Sequence, residues 1–265
     1  MMVFISKTWR LFATGFCFAV FGLGGVIIAA LWLPFYRLRY SNDEEKRKQA
    51  CRYAVHLTFK SFVWLMYIVG VTKVDAKGLD TLKDLKGKII IANHPSLIDV
   101  VVLVSIVRNA DCIVKQNLLK NVFTKGIIKN TGYISNADPE DLIQDCKSSL
   151  EKGCNLIIFP EGTRTFPGAD ISFKRGAANI ALRSGKNFQR VLIQVTPPAL
   201  TKGWPWYKVP KSKIHMKLAV LEEFDISDYD VDTPSKSVRQ LTRDIQQLYK
   251  NDFADFATIY DNKTC

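Results

Sequence analysis

The chain has 265 residues and a mass of 30.0 kDa, with 48% hydrophobic and 23% charged residues. This is the composition of a globular protein with a sizeable core, and it excludes a disordered or low-complexity chain. The formal net charge of +12 indicates a partner that carries negative charge, such as a nucleic acid, an anionic membrane face or a phosphorylated substrate.

The N-terminal stretch is apolar and has no charged residue between Arg10 and Arg37. A bilayer core needs roughly 20 apolar residues, so the stretch is long enough to span. A cleaved signal peptide is the alternative, because Lys7 and Arg10 precede the run and Ala29-Ala30 resembles a cleavage site. We predict a retained anchor, because the run is longer than a signal core and interfacial residues follow it: Trp32, Phe35, Tyr36, Arg37 and Arg39. Whether it spans or folds back within one leaflet is left open.

A second apolar run, residues 61–71, is too short to span a membrane. It is either an interfacial segment or a core helix, and we favour the interface because it joins the anchor to the rest of the chain. Residues 43–52 are highly charged and predict a solvated link between the two runs. We therefore assign residues 1–75 to an anchor with an interfacial segment and residues 76–265 to a folded domain.

From Lys86 onward, short apolar runs alternate with helical patterns. Strands are predicted at residues 88–93, 112–115, 132–135, 155–160, 191–197 and 214–224, and most are continuous apolar runs. Asp138 as N-cap, Pro139 at the first helical position and Gly153 at the end predict a helix between the third and fourth strands. Residues 175–185 and 234–251 predict two more. This alternation indicates an α/β fold with a largely parallel mixed sheet flanked by helices, preceded by the N-terminal membrane-anchoring helical segment.

The six cysteines, Cys17, Cys51, Cys112, Cys146, Cys154 and Cys265, form no close-spaced pair typical of a metal or redox site. With only three histidines, we expect no zinc site and reduced thiols in a cytosolic domain.

The first candidate for chemistry is "NHPSLID" at the exit of the first predicted strand, which is where α/β proteins usually carry their chemistry. We expect Pro95 to open a helix directly after His94. Residues five apart on a helix are separated by about 140° of rotation, so His94 and Asp99 can meet only if His94 lies before the helix and turns back over its first turn. Asp99 would then orient the imidazole as a base. The alternative is a strand end with Asp99 facing solvent.

The second candidate is "FPEGTRT", residues 159–165, at the exit of the fourth predicted strand. Gly162 lets a ligand approach the backbone, and Arg164 offers a planar fork of donors that suits phosphate. Glu161 can pair with Arg164 or accept a hydrogen bond from a substrate hydroxyl. An ordinary turn with a surface ion pair is the alternative.

Together the two blocks resemble the glycerolipid acyltransferase family, which includes the acylglycerol-phosphate acyltransferases. The resemblance covers about residues 85–200. It implies that His94 is the general base, that Asp99 is its orienting partner, and that Glu161, Gly162, Thr163 and Arg164 bind the acceptor, often through its phosphate. Such a reaction needs a base and donors for the developing oxyanion, and no metal or cofactor besides the acyl donor.

One stretch departs from the family pattern. The family's middle block usually carries an arginine near a strand end, whereas this chain has "GYISNADPED" without one. Either the acceptor is less anionic than usual, or Lys115 replaces the arginine in the acceptor site.

Residues 202–217 interleave aromatic and basic side chains. Stacking on nucleic-acid bases, contact with anionic lipid headgroups and a solvated loop with partly buried tryptophans are the alternatives. For an anchored chain we favour the lipid headgroups.

The sequence therefore predicts a membrane-bound acyltransferase at the cytoplasmic face of the inner or cell membrane. It would move a fatty acyl chain from acyl-CoA or acyl carrier protein to the hydroxyl of a lysophospholipid such as lysophosphatidic acid. Membrane lipids and the acyl donor are the expected partners, and no nucleic acid is expected. The alternatives are an acyltransferase for a non-glycerolipid acceptor and a non-catalytic lipid-binding membrane protein.

Overall fold

The computed structural model describes residues 2–120, 122–230 and 234–262. Its described strands form one sheet: β1 (Thr72–Lys77), β2 (Ile89–Ala92), β3 (Ala110–Val114), β4 (Ile134–Ser135), β5 (Asn155–Ile158), β6 (Phe188–Thr196) and β7 (Ile214–Phe224). The strand order is β1-β7-β6-β2-β5-β3-β4. Within it only the pairing of β6 with β7 is antiparallel. The predicted largely parallel mixed sheet is confirmed.

The described helices precede, connect and follow these strands: α1 (Met2–Ile27), α2 (Leu33–Arg39), α3 (Glu44–Ile68), α4 (Asp80–Lys83), α5 (Asp99–Ile106), α6 (Gln116–Lys120), α7 (Val122–Thr131), α8 (Pro139–Glu151), α9 (Gly176–Ser184), α10 (Pro234–Ala254) and α11 (Phe256–Asn262). A π-helical turn, Ile28–Trp32, joins α1 to α2.

The sheet is covered on both faces, which explains why its central strands are continuous apolar runs. On one face α5 and the C-terminal half of α3 pack over a core that includes Ile90 and Val102. On the other face α8, α9 and α10 cover a core that includes Ile89 and Tyr249. The loops that carry the candidate site follow the carboxyl ends of these buried strands.

The strand predictions are confirmed in position, and β7 matches its predicted range. The prediction missed β1, because its sequence "TKVDAK" alternates charged and apolar residues in the manner of a half-exposed edge strand. The predicted boundary after residue 75 falls within β1, and the division of the chain at that point stays a prediction.

The predicted helix N-terminus at Asp138 is confirmed. The Asp138 carboxylate accepts hydrogen bonds from the backbone N–H of Glu140 at 2.9 Å and of Asp141 at 3.1 Å, so it caps α8 as expected. The helix predicted to begin at Pro95 is wrong, because α5 begins only at Asp99.

The N-terminal region is more helical than predicted. Among the described residues one stretch, Lys7–Arg39, is long and apolar enough to cross a membrane. The predicted link over residues 43–52 is wrong, because Asp43 caps α3 and the helix then runs without a break through Ile68. The second apolar run lies mostly in this helix, with Met66 buried in the core and Trp64 exposed. Its buried side agrees with a core helix, and its position at a membrane interface stays a prediction.

A buried ion pair fastens α3 to the sheet. Arg52 Nη1 lies 3.3 Å from the Asp111 carboxylate on β3, and that carboxylate also accepts a 2.7 Å hydrogen bond from the Ser149 hydroxyl. Burial raises the pKa of Asp111 to about 6, against the influence of Arg52. Since removal of one partner would leave an unpaired buried charge, this pair holds α3, and with it the N-terminal segment, in register with the sheet.

Five of the six cysteines are free thiols and buried: Cys17, Cys51, Cys112, Cys146 and Cys154. Cys265 lies outside the described residues.

Candidate active site

His94 and Asp99 meet at the carboxyl end of β2. His94 Nδ1 lies 2.9 Å from Asp99 Oδ2, and the same oxygen accepts a 2.7 Å hydrogen bond from the Ser96 backbone N–H. Asp99 is fully buried, whereas the His94 side chain is 16% exposed. Because α5 begins at Asp99, His94 lies ahead of the helix and turns back over its first residue. The contact leaves Nε2 of the imidazole as the nitrogen that can accept a proton.

The loop that carries His94 is held by the second block. The His94 N–H donates to Glu161 Oε1 at 2.7 Å, and the His94 carbonyl accepts from the Thr165 N–H at 2.9 Å. The His94 ring also stacks on Phe159, with 4.2 Å between ring centroids. These contacts join two segments that are 67 residues apart. They explain why residues 94–98 form a loop and a turn instead of continuing α5 backward.

Asn93 is a site residue that the sequence interpretation missed. Its amide Nδ2 donates to the Ile193 carbonyl at 2.7 Å, and its Oδ1 accepts from the Ile193 N–H at 2.7 Å. The side chain therefore extends the pairing of β2 and β6 beyond the last backbone pair. It fixes the start of the loop that carries His94. A buried amide directly after an apolar strand was the available signal, since a buried amide needs partners.

Glu161 lies inward and does not pair with Arg164. The residue is only 4% exposed, and its Oε2 is buried without a hydrogen-bond partner among the described residues. Burial raises the pKa of the Glu161 carboxyl to about 7, although the hydrogen bond from the His94 N–H favours the charged form. Burial likewise raises the pKa of Asp99, against the hydrogen bond and charge of His94.

The remaining residues of the second block form a turn at the edge of the site. Gly162 has φ +68, which other L-residues rarely adopt. Arg164 Nη1 donates to the carbonyls of Leu200 at 2.8 Å and Thr201 at 3.2 Å. The other guanidinium nitrogens have no hydrogen-bond partner among the described residues, so they can donate to a ligand. Thr163 is half-buried beside them.

Lys115 lies apart from these residues. It is exposed at the end of β3, and β5 separates β3 from β2, so its backbone is about 10 Å from that of β2. The stretch that lacks the family arginine serves the fold: Asn136 Oδ1 accepts from the Gln116 N–H at 3.1 Å, and Asp138 caps α8. The structure does not bring Lys115 into contact with His94 or Arg164.

One cleft adjoins the site, and a second cavity lies among the N-terminal helices. A cleft of about 590 Å³ is lined by Asn93, Glu161 and Thr165 together with β6 and the end of α10. A cavity of about 440 Å³ lies between α1, α3 and α7, and its lining is almost wholly apolar, including Phe21, Phe62 and Val114. The first offers polar groups at the reacting end, and the second offers space for a hydrocarbon.

The buried Glu161 carboxyl predicts a pH-dependent stability. Its native pKa of about 7 lies above the usual value of 4.5, so the native state holds its proton more tightly than the unfolded state. Unfolding free energy is therefore lost as the pH rises from 4.5 to 7, on the order of 3 kcal/mol. Glu161→Gln is expected to remove this loss in chemical denaturation measured across that range.

Glu151→Gln serves as the matched control, because Glu151 is exposed at the end of α8. It should keep the wild-type dependence on pH. If Glu161→Gln instead shows the same dependence of unfolding free energy on pH as the wild type, the native pKa of the Glu161 carboxyl is not raised by its burial.

Comparison with known proteins identifies related sequences. A family model described as Acyltransferase matches residues 73–197. The 1-acyl-sn-glycerol-3-phosphate acyltransferase of Helicobacter pylori is 37% identical over 166 residues, which cover 60% of this chain and 63% of that protein. The Pseudomonas aeruginosa enzyme of the same name is 27% identical over 203 residues, or 72% and 70% of the two chains. A chloroplastic enzyme of Arabidopsis thaliana is 29% identical over 119 residues, or 43% and 33%.

The matched regions are partial. The match spans a third of the Arabidopsis relative's length and less than two thirds of the Helicobacter relative's length. The fold is similar along nearly the whole chain to the crystal structure of the 1-acyl-sn-glycerophosphate acyltransferase PlsC from Thermotoga maritima. The TM-score is 0.64 with 22% sequence identity, and the alignment covers 91% of this chain and 98% of that one. This likeness confirms the predicted α/β fold.

Proposed function

We propose that the chain is a membrane-bound O-acyltransferase of the glycerolipid acyltransferase family, and the Acyltransferase match over residues 73–197 and the Helicobacter pylori relative support this assignment. It moves a fatty acyl chain from acyl-CoA or acyl carrier protein to the free hydroxyl of a lysophospholipid such as lysophosphatidic acid. The observation that carries the proposal is the 2.9 Å contact between His94 Nδ1 and the buried Asp99 carboxylate, at the rim of a cleft that can hold a substrate.

The proposed reaction is a direct attack of the acceptor on the thioester. With Nδ1–H donated to Asp99, Nε2 of His94 takes the proton of the acceptor hydroxyl. The hydroxyl oxygen bonds to the acyl carbon, the carbon–sulfur bond breaks, and the departing thiolate takes the proton from the imidazolium. The Asp99 carboxylate orients the ring and stabilises its positive charge between these steps.

The acceptor site is assigned to the second block. The guanidinium nitrogens of Arg164 that lack a protein partner suit the phosphate of the acceptor, and Nη1 keeps the group in place. Gly162 leaves the backbone accessible on the same turn, and Thr163 offers a hydroxyl. Lys115, at the same edge of the sheet, contributes positive charge to the approach of an anionic acceptor.

Membrane attachment is assigned to the N-terminal helices and the loop after β6. Large apolar side chains on Lys7–Arg39 are exposed, and Leu38 reaches 82% exposure. In the loop, Trp206 packs on Phe18 of α1 with 5.9 Å between ring centroids, and Arg10 donates to the Pro210 carbonyl at 3.3 Å. This continuous surface supports attachment at the cytoplasmic membrane face, with the basic loop at the lipid headgroups.

The test is an acyl-transfer assay on the detergent-solubilised full chain. Labelled acyl-CoA and acyl carrier protein are each offered with a panel of acceptors that includes lysophosphatidic acid, other lysophospholipids and uncharged alcohols. Transfer to lysophosphatidic acid is expected. Transfer to uncharged acceptors alone would favour the non-glycerolipid alternative, for which the absence of the family arginine is the supporting observation. No transfer from any donor would favour a lipid-binding protein.

The apolar cavity is proposed to hold the acyl chain, which predicts a change of chain-length preference. Gly24 lines this cavity, and a side chain added there would meet open space within 4 Å. Gly24→Met should therefore fill part of the cavity and shift the preferred donor to chains shorter by several carbons, because the excess methylenes lose burial worth about 0.8 kcal/mol each. Competition between acyl donors of different length measures the preference.

Gly24→Ala is the control, since one methyl group leaves most of the cavity free. It should keep the wild-type preference. Wild-type use of long donors by Gly24→Met would place the acyl chain elsewhere.

A further inference from the structure

A separate basic cleft lies where β6 and β7 pair, at the same edge of the sheet as His94. Its volume is about 490 Å³, and its lining includes Lys213, His215 and Lys217 together with Gln194, Thr196 and Ser212. Among the described residues that line it there is no carboxylate. Two lysines, a histidine and two hydroxyls thus face one concave space.

The strand register holds these side chains in place. Gln194 lies directly opposite Lys217, and Thr196 lies directly opposite His215. Because residues two apart on a strand share a face, all four side chains lie on the same side of the sheet. Groups mounted on strands are held more precisely than groups on loops.

The positive charge of the cleft is not cancelled by ion pairs. The Lys213 Nζ donates to the Tyr67 carbonyl at 3.3 Å, and the Lys217 Nζ lies 4.7 Å from the centroid of the Tyr260 ring. Within the described part of the chain, neither lysine forms a salt bridge with a carboxylate. Asp75, opposite Lys217 on β1, lies 2.8 Å from the Nζ of Lys73 instead.

The basic cleft adjoins the larger cleft at the candidate active site. Gln194 lines both the basic cleft and the larger cleft that contains Glu161. Ile193, which is hydrogen-bonded to Asn93, is three strand residues from Thr196, a separation of about 10 Å. A ligand with one end at His94 can therefore reach the basic cleft along β6.

That separation distinguishes the two substrates of the proposed reaction. In a lysophosphatidic acid the phosphate is attached one carbon away from the carbon that bears the free hydroxyl, so it stays near His94 and Arg164. In a phosphopantetheine thioester a long arm separates the reacting carbonyl from the phosphate. We propose that the cleft of Lys213, His215 and Lys217 binds phosphate of the acyl donor, and this assignment rests on the proposed acyltransferase function.

The test compares donors that share the thioester and differ in phosphate. Lys217→Gln is expected to raise the KM for acyl-CoA about tenfold, since a charged hydrogen bond to phosphate is lost, and to leave kcat unchanged. With acyl-pantetheine, which has no phosphate, its kinetics should equal those of the wild type. Lys147→Gln, an exposed lysine on α8, is the matched control and should change neither.

Two further donors identify which phosphate is bound. Equal losses with acyl-4′-phosphopantetheine and acyl-CoA would assign the cleft to the phosphate of the arm, which a carrier protein also presents. A loss confined to acyl-CoA would assign it to the nucleotide phosphates. Both results support the proposal. An unchanged KM for acyl-CoA, or an equal rise for acyl-pantetheine, would overturn it.

A binding measurement keeps the test independent of turnover. Calorimetry with CoA alone should show about tenfold weaker binding to Lys217→Gln than to the wild type and to Lys147→Gln. If the wild type transfers no acyl group, the proposed function fails. The calorimetry still shows whether the cleft binds CoA. Unaltered CoA binding with weaker binding to phosphatidylglycerol vesicles would assign the cleft to lipid headgroups and reject the donor site.

Discussion

Replacement of His94 by alanine is expected to lower kcat for acyl transfer about 10³-fold, in the range that a positioned general base contributes. The imidazole Nδ1 lies 2.9 Å from Asp99, which leaves Nε2 to accept a proton, and the neighbouring residues Asn93 and Pro95 line the cleft. Without the imidazole, the acceptor hydroxyl must lose its proton to water. The measurement is steady-state transfer from acyl-CoA to lysophosphatidic acid.

The His94→Ala variant should remain folded. The loop is held through the backbone N–H and carbonyl of His94, which bond to Glu161 and Thr165, and these contacts do not need the side chain. A thermal transition within a few degrees of the wild type is the control for folding. Near-normal turnover in the folded variant would reject His94 as the general base. Another residue would then have to take the proton of the acceptor hydroxyl.

Asp99→Asn is expected to lower kcat by about 10² to 10³-fold with little change in KM. In the proposed mechanism the carboxylate stabilises the positive charge that develops on His94 during proton transfer, and an amide carries no such charge. Asp99 is fully buried, and its carboxylate is hydrogen-bonded to His94 and to the Ser96 N–H rather than to a residue assigned to the acceptor, so ground-state binding should be retained. Steady-state kinetics that separate kcat from KM distinguish this positioning role from a role in binding.

The amide also has a structural consequence that the same variant tests. Asp99 Oδ1 is buried without a hydrogen-bond partner among the described residues, and an amide nitrogen in its place would lack an acceptor, at a cost of about 1–3 kcal/mol in unfolding free energy. Asp111→Asn, which alters a second buried aspartate, is the matched comparison. It should lose unfolding free energy without a selective loss of kcat. Equal effects of the two variants on kcat and on unfolding free energy would show that the role of Asp99 is structural.

Much of the fold was predictable because its signals are local. Strand β2 is apolar throughout since both faces of the sheet are covered, and α8 begins at an aspartate whose carboxylate caps the helix. The edge strand β1 was missed because half of its side chains face solvent. The charged start of α3 suggested a solvated link, yet Arg52 within it is buried against Asp111.

The candidate site was predictable in its composition and less so in its geometry. The spacing of His94 and Asp99 showed that the histidine must precede the helix, and the structure places it there. The predicted helix start at Pro95 is wrong because hydrogen bonds to distant loops hold that segment as a loop and a turn: the Leu97 N–H donates to the Leu200 carbonyl at 3.1 Å. No pattern near residue 95 records a partner a hundred residues away.

The sequence by itself determined the α/β class, the strands that carry the site and the two blocks at their exits, because each depends on the periodicity and turn chemistry of a few consecutive residues. The tertiary structure alone decided that Glu161 bonds to the backbone of His94, that Asn93 bridges β2 and β6, and that Lys217 shares a basic cleft with His215. These contacts depend on which strands become neighbours in the sheet. That order is set by the burial of the whole chain, and no short segment encodes it.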